Sequence, residues 1–260
     1  MPMQRNGFEI QKSTVLALFL RELKTRFGKY RLGYCWALLE PGLHLFILWI
    51  VFDYVMQRAM PDISFPVFLL NGLIPFFVFS NIVTRSVNAI EANQGLFNYR
   101  PVKPVDTIIA RTLLESLIYA AVYILLMTIL LLSGEAINAV HFIQLFAVGF
   151  LLIVFSFGMG LIFMVAGNTF PEMEKFLPIV IKPLYFISCI MFPLHAVPKA
   201  FWPYLLWNPL VHVVELARES LAINYQSEGA SLSYLAFSTL LVLFVGLLLY
   251  RNREEAMLTS

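Results

Sequence analysis

The sequence predicts an all-α integral membrane protein of about six transmembrane helices, with an amphipathic helix ahead of the first span and a pair of re-entrant helices between the fifth and sixth. Three observations predict it. Of 260 residues, 60% are hydrophobic and 13% charged, and mean hydropathy is +0.78; a water-soluble domain keeps roughly a quarter of its residues charged to wet its surface. Crossing about 30 Å of hydrocarbon takes about 20 apolar residues in helical form, and the stretches 63–84, 116–134, 136–171 and 229–250 carry no Asp, Glu, Lys or Arg. Lys and Arg are also spread unevenly over the segments that join such stretches, and that bias fixes orientation.

Residues 1–34 come first. Arg5, Lys12, Arg21, Lys24, Arg26, Lys29 and Arg31 crowd into them, so this end is read as cytoplasmic; polar and basic residues stand where a cleavable signal would have its apolar stretch. Within 12–30, Val15, Phe19, Leu23 and Phe27 recur at four-residue spacing with Leu16 and Leu20 beside them, and Arg21, Lys24, Thr25 and Gly28 lie opposite. The pattern predicts an amphipathic helix lying on the cytoplasmic surface. Each basic residue near an anionic leaflet adds about 1 kcal/mol of attraction, and docking of a partner would use the same face.

The first span, 35–57, contains Glu40, His44 and Asp53, and the fifth, 176–193, contains Lys182. Both count as spans because the apolar cores 43–52 and 184–192 are dense, and ionisable groups are tolerated where they face protein or water. Glu40 directly precedes Pro41 and either caps or kinks the start of that helix or lines an entrance for substrate. The remaining spans are 64–84, 107–133, 140–167 and 230–250. Ser156, Gly158 and Gly160 in the fourth let backbones approach closely. Arg111 and Glu115, near the inner end of the third, share a helix face and read as a structural ion pair. Both termini fall inside: Arg85, Arg100, Lys103 and Arg111 mark one inner loop, Lys175 the next, Arg251 and Arg253 the tail, whereas outer segments hold only Arg58, Lys199 and Arg218.

Between 194 and 228, Pro198, Pro203 and Pro209 interrupt an aromatic, mostly uncharged stretch. A seventh span there would put Arg251 and Arg253 outside, so two short re-entrant helices are expected, anchored at the interface by Trp202, Tyr204 and Trp207. An ordinary outer loop lying on the membrane is the alternative. The inner segment 90–111 reads IEANQGLFNYRPVKPVDTIIAR. Gly95 and Asn98 favour turns, Pro101 and Pro104 stop helix extension, and Leu96, Phe97 and Tyr99 leave apolar groups in a cytoplasmic loop. A short helix over 91–97, inserted into a cleft of a cytoplasmic motor, explains that pattern.

No source of free energy is evident in the motifs. Gly28 and Gly33 have the spacing of a phosphate loop, yet Tyr34 occupies its lysine position, and HExxH and GxSxG do not occur. His44, His141, His195 and His212 lack ligand spacing, and Cys35 and Cys189 form no CxxC or Cys/His cluster, so neither a metal site nor a disulfide framework is expected. A secondary transporter would need paired intramembrane ionisable residues, and the two halves of the chain do not echo one another. A membrane-embedded glycan or lipid enzyme would need an active-site constellation that the sequence does not offer.

The chain resembles the type-2 ABC exporters, and within them the membrane permease of bacterial capsular-polysaccharide export. The similarity is carried by RFGKYRLGYCWALLEPGLHLF, PDISFPVFLLNGLIPFF, ANQGLFNYRPVKP, FPEMEKFLPIVIKPLYFISCIMFPLHAVP, LLWNPLVHVVELARE and YRNREEAMLTS, and so covers nearly the whole chain; 133–150 and 221–233 are generic. The resemblance implies a non-catalytic subunit of the bacterial inner membrane, acting as a homodimer with two copies of a separate ATP-binding subunit. ATP and Mg would be used by that partner, with no cofactor on this chain. The implied substrate is a lipid-linked acidic polysaccharide handed to periplasmic and outer-membrane export proteins; another lipid-linked glycan, of O-antigen or teichoic-acid type, is the alternative. Membrane lipids are further partners, and nucleic acid is not.

The same resemblance divides the chain into a cytoplasmic segment 1–34 with an interface helix, a transmembrane domain 35–251, and a cytoplasmic tail 252–260. By position, Glu91, Asn93, Gln94, Leu96, Phe97, Asn98, Tyr99 and Arg100 are expected to couple to the ATPase, and Glu172, Glu174 and Lys175 to form a second cytoplasmic contact. Lys29, Tyr30, Arg31, Trp36 and Glu40 are expected along the substrate entrance or path. Phe192, His195, Trp202 and Trp207 fall in a periplasmic gate around 194–214. The residues themselves agree on two points: six helices enclose no pore wide enough for a hydrated polysaccharide, and the energy source is missing, so a second copy and a motor are both needed.

Overall fold

The computed structural model describes residues 7–27, 33–52, 63–97, 102–135, 137 and 141–259. Every regular element among them is helical: α1 (Gly7–Phe27), α2 (Gly33–Ile50), α3 (Phe65–Ser86), α4 (Gln94–Phe97), α5 (Pro104–Leu132), α6 (Phe142–Thr169), α7 (Met173–Ile187), α8 (Trp202–Leu205), α9 (Pro209–Glu219) and α10 (Leu232–Thr259). Four of these, α3, α5, α6 and α10, are long and apolar enough to cross a membrane, and they match the second, third, fourth and sixth spans of the sequence reading. The apolar part of α2 is shorter, Cys35–Ile50. The 15 residues of α7 contain Pro178 and Pro183, each of which removes a helical hydrogen bond. The chain is an integral membrane protein.

α3 is the central post. It packs against α2, α5, α6, α7 and α9, and Phe68, Leu69, Leu70, Leu73 and Ile82 are fully enclosed, which is why its sequence is apolar all round rather than on one stripe. Its two asparagine amides, Asn71 buried and Asn81 half-buried, are used as ties. Tyr123 Oη donates to Asn71 Oδ1 (2.8 Å), and Asn81 Nδ2 donates to Tyr119 Oη (2.9 Å), so both reach α5 and neither is left unpaired in an apolar setting.

α6 and α10 meet along a glycine seam. A methyl group on Gly246 would fall 2.6 Å from the Gly158 carbonyl oxygen, and one on Gly158 would fall 3.0 Å from the Leu243 Cα. The close backbone approach expected of the small residues in 156–160 is therefore present, and its second half is Gly246. Beyond the apolar part of α10 the helix does not stop at Tyr250 but runs on through the charged residues to Thr259.

α1 packs on α5, and of the apolar face the sequence predicts, Val15, Phe19 and Leu23 are half-buried. Leu18 is buried, Leu16 and Leu20 are exposed, and Arg21, Glu22 and Arg26 turn toward the bundle. The reason lies on α5, which offers Asp106, Arg111 and Glu115 to that side. Buried ions require partners, and α1 supplies them through Gln11, Glu22 and Arg26.

Candidate functional site

Four elements converge at the basic end of the bundle: α1, the last turn of α3, the segment 91–97 and the first turns of α5. Pro104 opens α5, and the Lys103 backbone N–H donates to Asp106 Oδ2 (3.0 Å), a reciprocal cap that fixes where the helix starts. Asp106 Oδ1 accepts from Gln11 Nε2 of α1 (3.2 Å). Farther along α5, Arg111 Nε lies 3.0 Å from Glu22 Oε1, and its Nη1 donates to the Arg85 carbonyl and to Asn88 Oδ1 (3.5 Å). Glu115 accepts from Arg26 and pairs with Arg85 at 3.2 Å.

The Arg111–Glu115 pair read from the sequence is therefore not what forms. Each member binds a charge on another helix, because both project from one face of α5 toward Glu22, Arg26 and Arg85, and charge-assisted bonds across helices satisfy more of their polar atoms than a single bond along one helix would. The network is not closed. Glu115 Oε2 and Arg21 Nε are buried without a hydrogen-bond partner, and the Arg85 side chain is 43% exposed.

The segment 91–97 is latched to this network. A 3-10 turn, Glu91–Asn93, runs into the single turn of α4. Asn93 is buried; its Oδ1 accepts from Arg21 of α1 and its Nδ2 donates to the Ala89 carbonyl (2.7 Å). Glu91, Gln94 and Gly95 are exposed, whereas Leu96 and Phe97 are half-buried. The aromatic left uncovered in the sequence reading is thus partly covered by its own chain: Phe97 lies against a cluster containing Ala89, Ile90, Ile108 and Met257. Asn98, Tyr99 and Arg100 lie outside the described residues, as do Lys29, Tyr30 and Arg31. Of the second expected contact, Glu172, Glu174 and Lys175 are exposed at the start of α7, and Glu174 Oε1 accepts from Asn88 Nδ2 (3.5 Å).

The opposite end is built around one arginine. After α7 the chain turns at Cys189, whose φ is 56°, and two 3-10 turns, Leu194–Ala196 and Lys199–Phe201, lead into α8. α9 starts at Pro209, with Asn208 Oδ1 accepting from the Leu210 N–H (3.1 Å) and Asn208 Nδ2 donating back to Ser188 Oγ (3.0 Å). Arg218 of α9 is fully buried. Its Nη1 lies 2.9 Å from Glu215 Oε1, its Nη2 donates to the Ile190 carbonyl (2.7 Å), its Nε to the Phe68 carbonyl (3.4 Å), and its guanidinium carbon stands 3.5 Å from the Phe68 ring centroid. Glu215 also accepts from Tyr225 Oη (2.7 Å) and from the Leu194 N–H (3.3 Å). Gly72 makes room for this, since a methyl group there would sit 3.0 Å from Arg218 Nη2.

Around that knot, Phe192 is half-buried with Leu194 and Val211, Trp202 Nε1 donates to the Val197 carbonyl (2.9 Å), and the Trp207 carbonyl accepts from Tyr234 Oη (2.9 Å). His195 is exposed, its ring 6.1 Å from that of Tyr225. On α2, Trp36 and Glu40 both face outward, and His44 Nε2 is 3.1 Å from Tyr185 Oη of α7. Sequence reasoning missed Glu22, Arg26, Arg85 and Asp106 at one end and the Glu215–Arg218 pair at the other. The available signals were a charge at each end of one helical turn in 209–219 and ionisable residues facing each other across otherwise apolar segments.

The fold and its two polar centres define a polytopic helical membrane protein. Residues 13–222 match the ABC-2 type transporter family, and the chain belongs to that family. It is 70% identical over 258 residues, 99% of this chain and 100% of the relative, to the Polysialic acid transport protein KpsM of Escherichia coli. It is 30% identical, across 95% of this chain and 94% of the relative, to the Capsule polysaccharide export inner-membrane protein BexB of Haemophilus influenzae. Similarity extends at 26% identity, covering 89% of this chain and 88% of the relative, to the O-antigen export system permease protein RfbA of Klebsiella pneumoniae.

Proposed function

We propose that this chain is the transmembrane subunit of an ATP-driven exporter that moves lipid-linked acidic capsular polysaccharide from the cytoplasm to the periplasm across the bacterial inner membrane. The observation that carries the reading is 70% identity along essentially the whole chain to a protein named for polysialic acid transport, a polymer with one carboxylate per sugar. The subunit works as a homodimer with two copies of a separate ATP-binding subunit, which uses ATP and Mg; this chain performs no catalysis.

α2 and α7 are the first and fifth of six spans, and both termini are cytoplasmic. That count keeps α1, the segment 91–97 and the last turns of α10 on one side, and it is supported by the Gln11–Asp106, Arg21–Asn93 and Lys103–Glu254 contacts among them. The basic residues of that end support its facing the cytoplasm. Segment 91–97 is the coupling helix: Glu91, Gln94 and Gly95 meet the ATPase, while Asn93 and Phe97 seat the helix on its own subunit. Glu172, Glu174 and Lys175 form the second contact, Trp36 and Glu40 border the substrate path with 29–31, and the region around 194–214, with Phe192, His195, Trp202 and Trp207, is the gate, from which polymer passes to periplasmic and outer-membrane export proteins.

A clean, complemented deletion tests this. Polymer should accumulate inside the cell while its synthesis continues, and surface capsule should disappear; unchanged surface capsule in a strain without a second copy overturns the reading. Loss of a different surface glycan with capsule intact assigns the O-antigen type of substrate in its place.

A further inference from the structure

The charged end of α10 does not behave as a loose tail. Tyr250, Glu254 and Met257 lie four and three residues apart and so share one face of the helix. Tyr250 is 8% and Met257 1% exposed, although Arg251, Asn252, Arg253, Glu255 and Leu258 around them are exposed. A methionine in such surroundings is covered only if the helix lies against something. What covers it is one apolar cluster: Met257 belongs with Ala89 and Ile90, which directly precede the 91–97 segment, and Phe97 and Val105 from the segment's end and beyond pack on the same cluster. At the rim, Lys103 Nζ lies 3.1 Å from Glu254 Oε1. The end of α10 thus reaches both limbs of the loop that carries α4.

Segment 91–97 holds less than two helical turns, and a helix that short has no stability of its own. Its position must come from what it is seated on. One seat is polar, the Arg21–Asn93 bond from α1. The other is apolar, the cluster to which α10 contributes Tyr250 and Met257 beside Ile108 of α5 and Leu161, Met164 and Val165 of α6. We propose that the last two turns of α10, through Met257 with Glu254 as its rim contact, are the positioning element of the coupling helix, setting the height and tilt at which 91–97 is presented. The proposal rests on the reading of 91–97 as the contact with the ATPase, and it assigns Met257 a positioning role, acting through Phe97 and Ile90.

The test uses the full chain assembled with its ATP-binding subunit in lipid nanodiscs, with Met257→Asp and the conservative Met257→Leu. Hydrogen exchange of the amides in 89–97 should accelerate roughly tenfold or more in Met257→Asp, with α3 and α6 unchanged, because local opening is governed by local contacts; Met257→Leu should restore protection. Export per ATP hydrolysed should fall several-fold in the first variant and recover in the second. Unchanged exchange at 89–97 in Met257→Asp overturns the proposal. Accelerated exchange with normal ATPase binding and normal export per ATP supports the seat while rejecting the coupling role of 91–97, so the two failures are told apart. If Met257→Asp does not accumulate in the membrane, Met257→Ala is read by the same exchange criterion with the same two outcomes.

Discussion

The two polar centres of this bundle solve the same problem in opposite ways. On α9 a single arginine is sealed between a carboxylate, two carbonyl oxygens and an aromatic face, and the carboxylate in turn is held by a phenol and a backbone N–H. At the basic end several long side chains bridge α1, α3 and α5, yet Glu115 and Arg21 keep buried atoms without partners and Arg85 reaches solvent. A fully satisfied buried centre has one arrangement and resists change, whereas a partly satisfied one has neighbouring arrangements of similar energy. The comparison teaches that the end built around Arg218 is anchored and the end built around Glu115 is adjustable.

The largest effect should come from breaking the anchored centre. Arg218→Met leaves Glu215 as an unpaired buried charge, a change that costs about 3–5 kcal/mol, and the folded protein recovered from membranes should drop sharply. Adding Glu215→Leu should restore part of it, because removing both charges is far milder than removing one; thermal melting in detergent reads both. A smaller effect is expected at the adjustable centre. Glu115→Gln keeps an acceptor for Arg26, and Arg85 turns to water, so stability should fall by only about 1 kcal/mol, while export per ATP should change more than stability does. Equal destabilisation by the Arg218 and Glu115 changes would erase the distinction between the two ends. The smallest effect belongs to Lys103→Ala, which removes an exposed ion pair to Glu254 and should shift stability by about 0–1 kcal/mol, leaving Met257 to hold the seat; exchange at 89–97 should barely move.

What the sequence disclosed follows from the kind of signal each part carries. The spans at α3, α5, α6 and α10 were legible because exclusion of charge from lipid acts on every residue of a segment at once. The polar ties of α1 were not: periodicity says which residues lie together, but Arg21, Glu22 and Arg26 turn inward only because Asn93, Arg111 and Glu115, far along the chain, await them. Gly158 was readable as a close-contact residue, whereas its counterpart Gly246 sits alone among leucines and gains meaning only from the crossing. Phe97 was singled out for its apolar ring in a loop, and half of its cover turned out to be its own subunit. The tail reads as polar by composition, and only the spacing of Tyr250, Glu254 and Met257 hints that one side of it is buried. Arg218, grouped by charge counting with the outer segments, carried its signal in the glutamate one turn before it.

α10 ties the two ends together. Its 28 residues contain no proline, so at 1.5 Å per residue it is a rod of about 40 Å. Its start is fixed beside α8 and α9, where the Ser231 N–H donates to His212 Nδ1 (2.9 Å) and Tyr234 Oη to the Trp207 carbonyl (2.9 Å). Its other end lies under the segment 91–97. Gly246, pressed on Gly158, falls at the middle of the rod, so about 20 Å of helix extends on either side of this close approach. A single unbroken helix thus joins the Trp207 and His212 contacts at one end of the bundle to the cluster of Ala89, Ile90 and Met257 at the other.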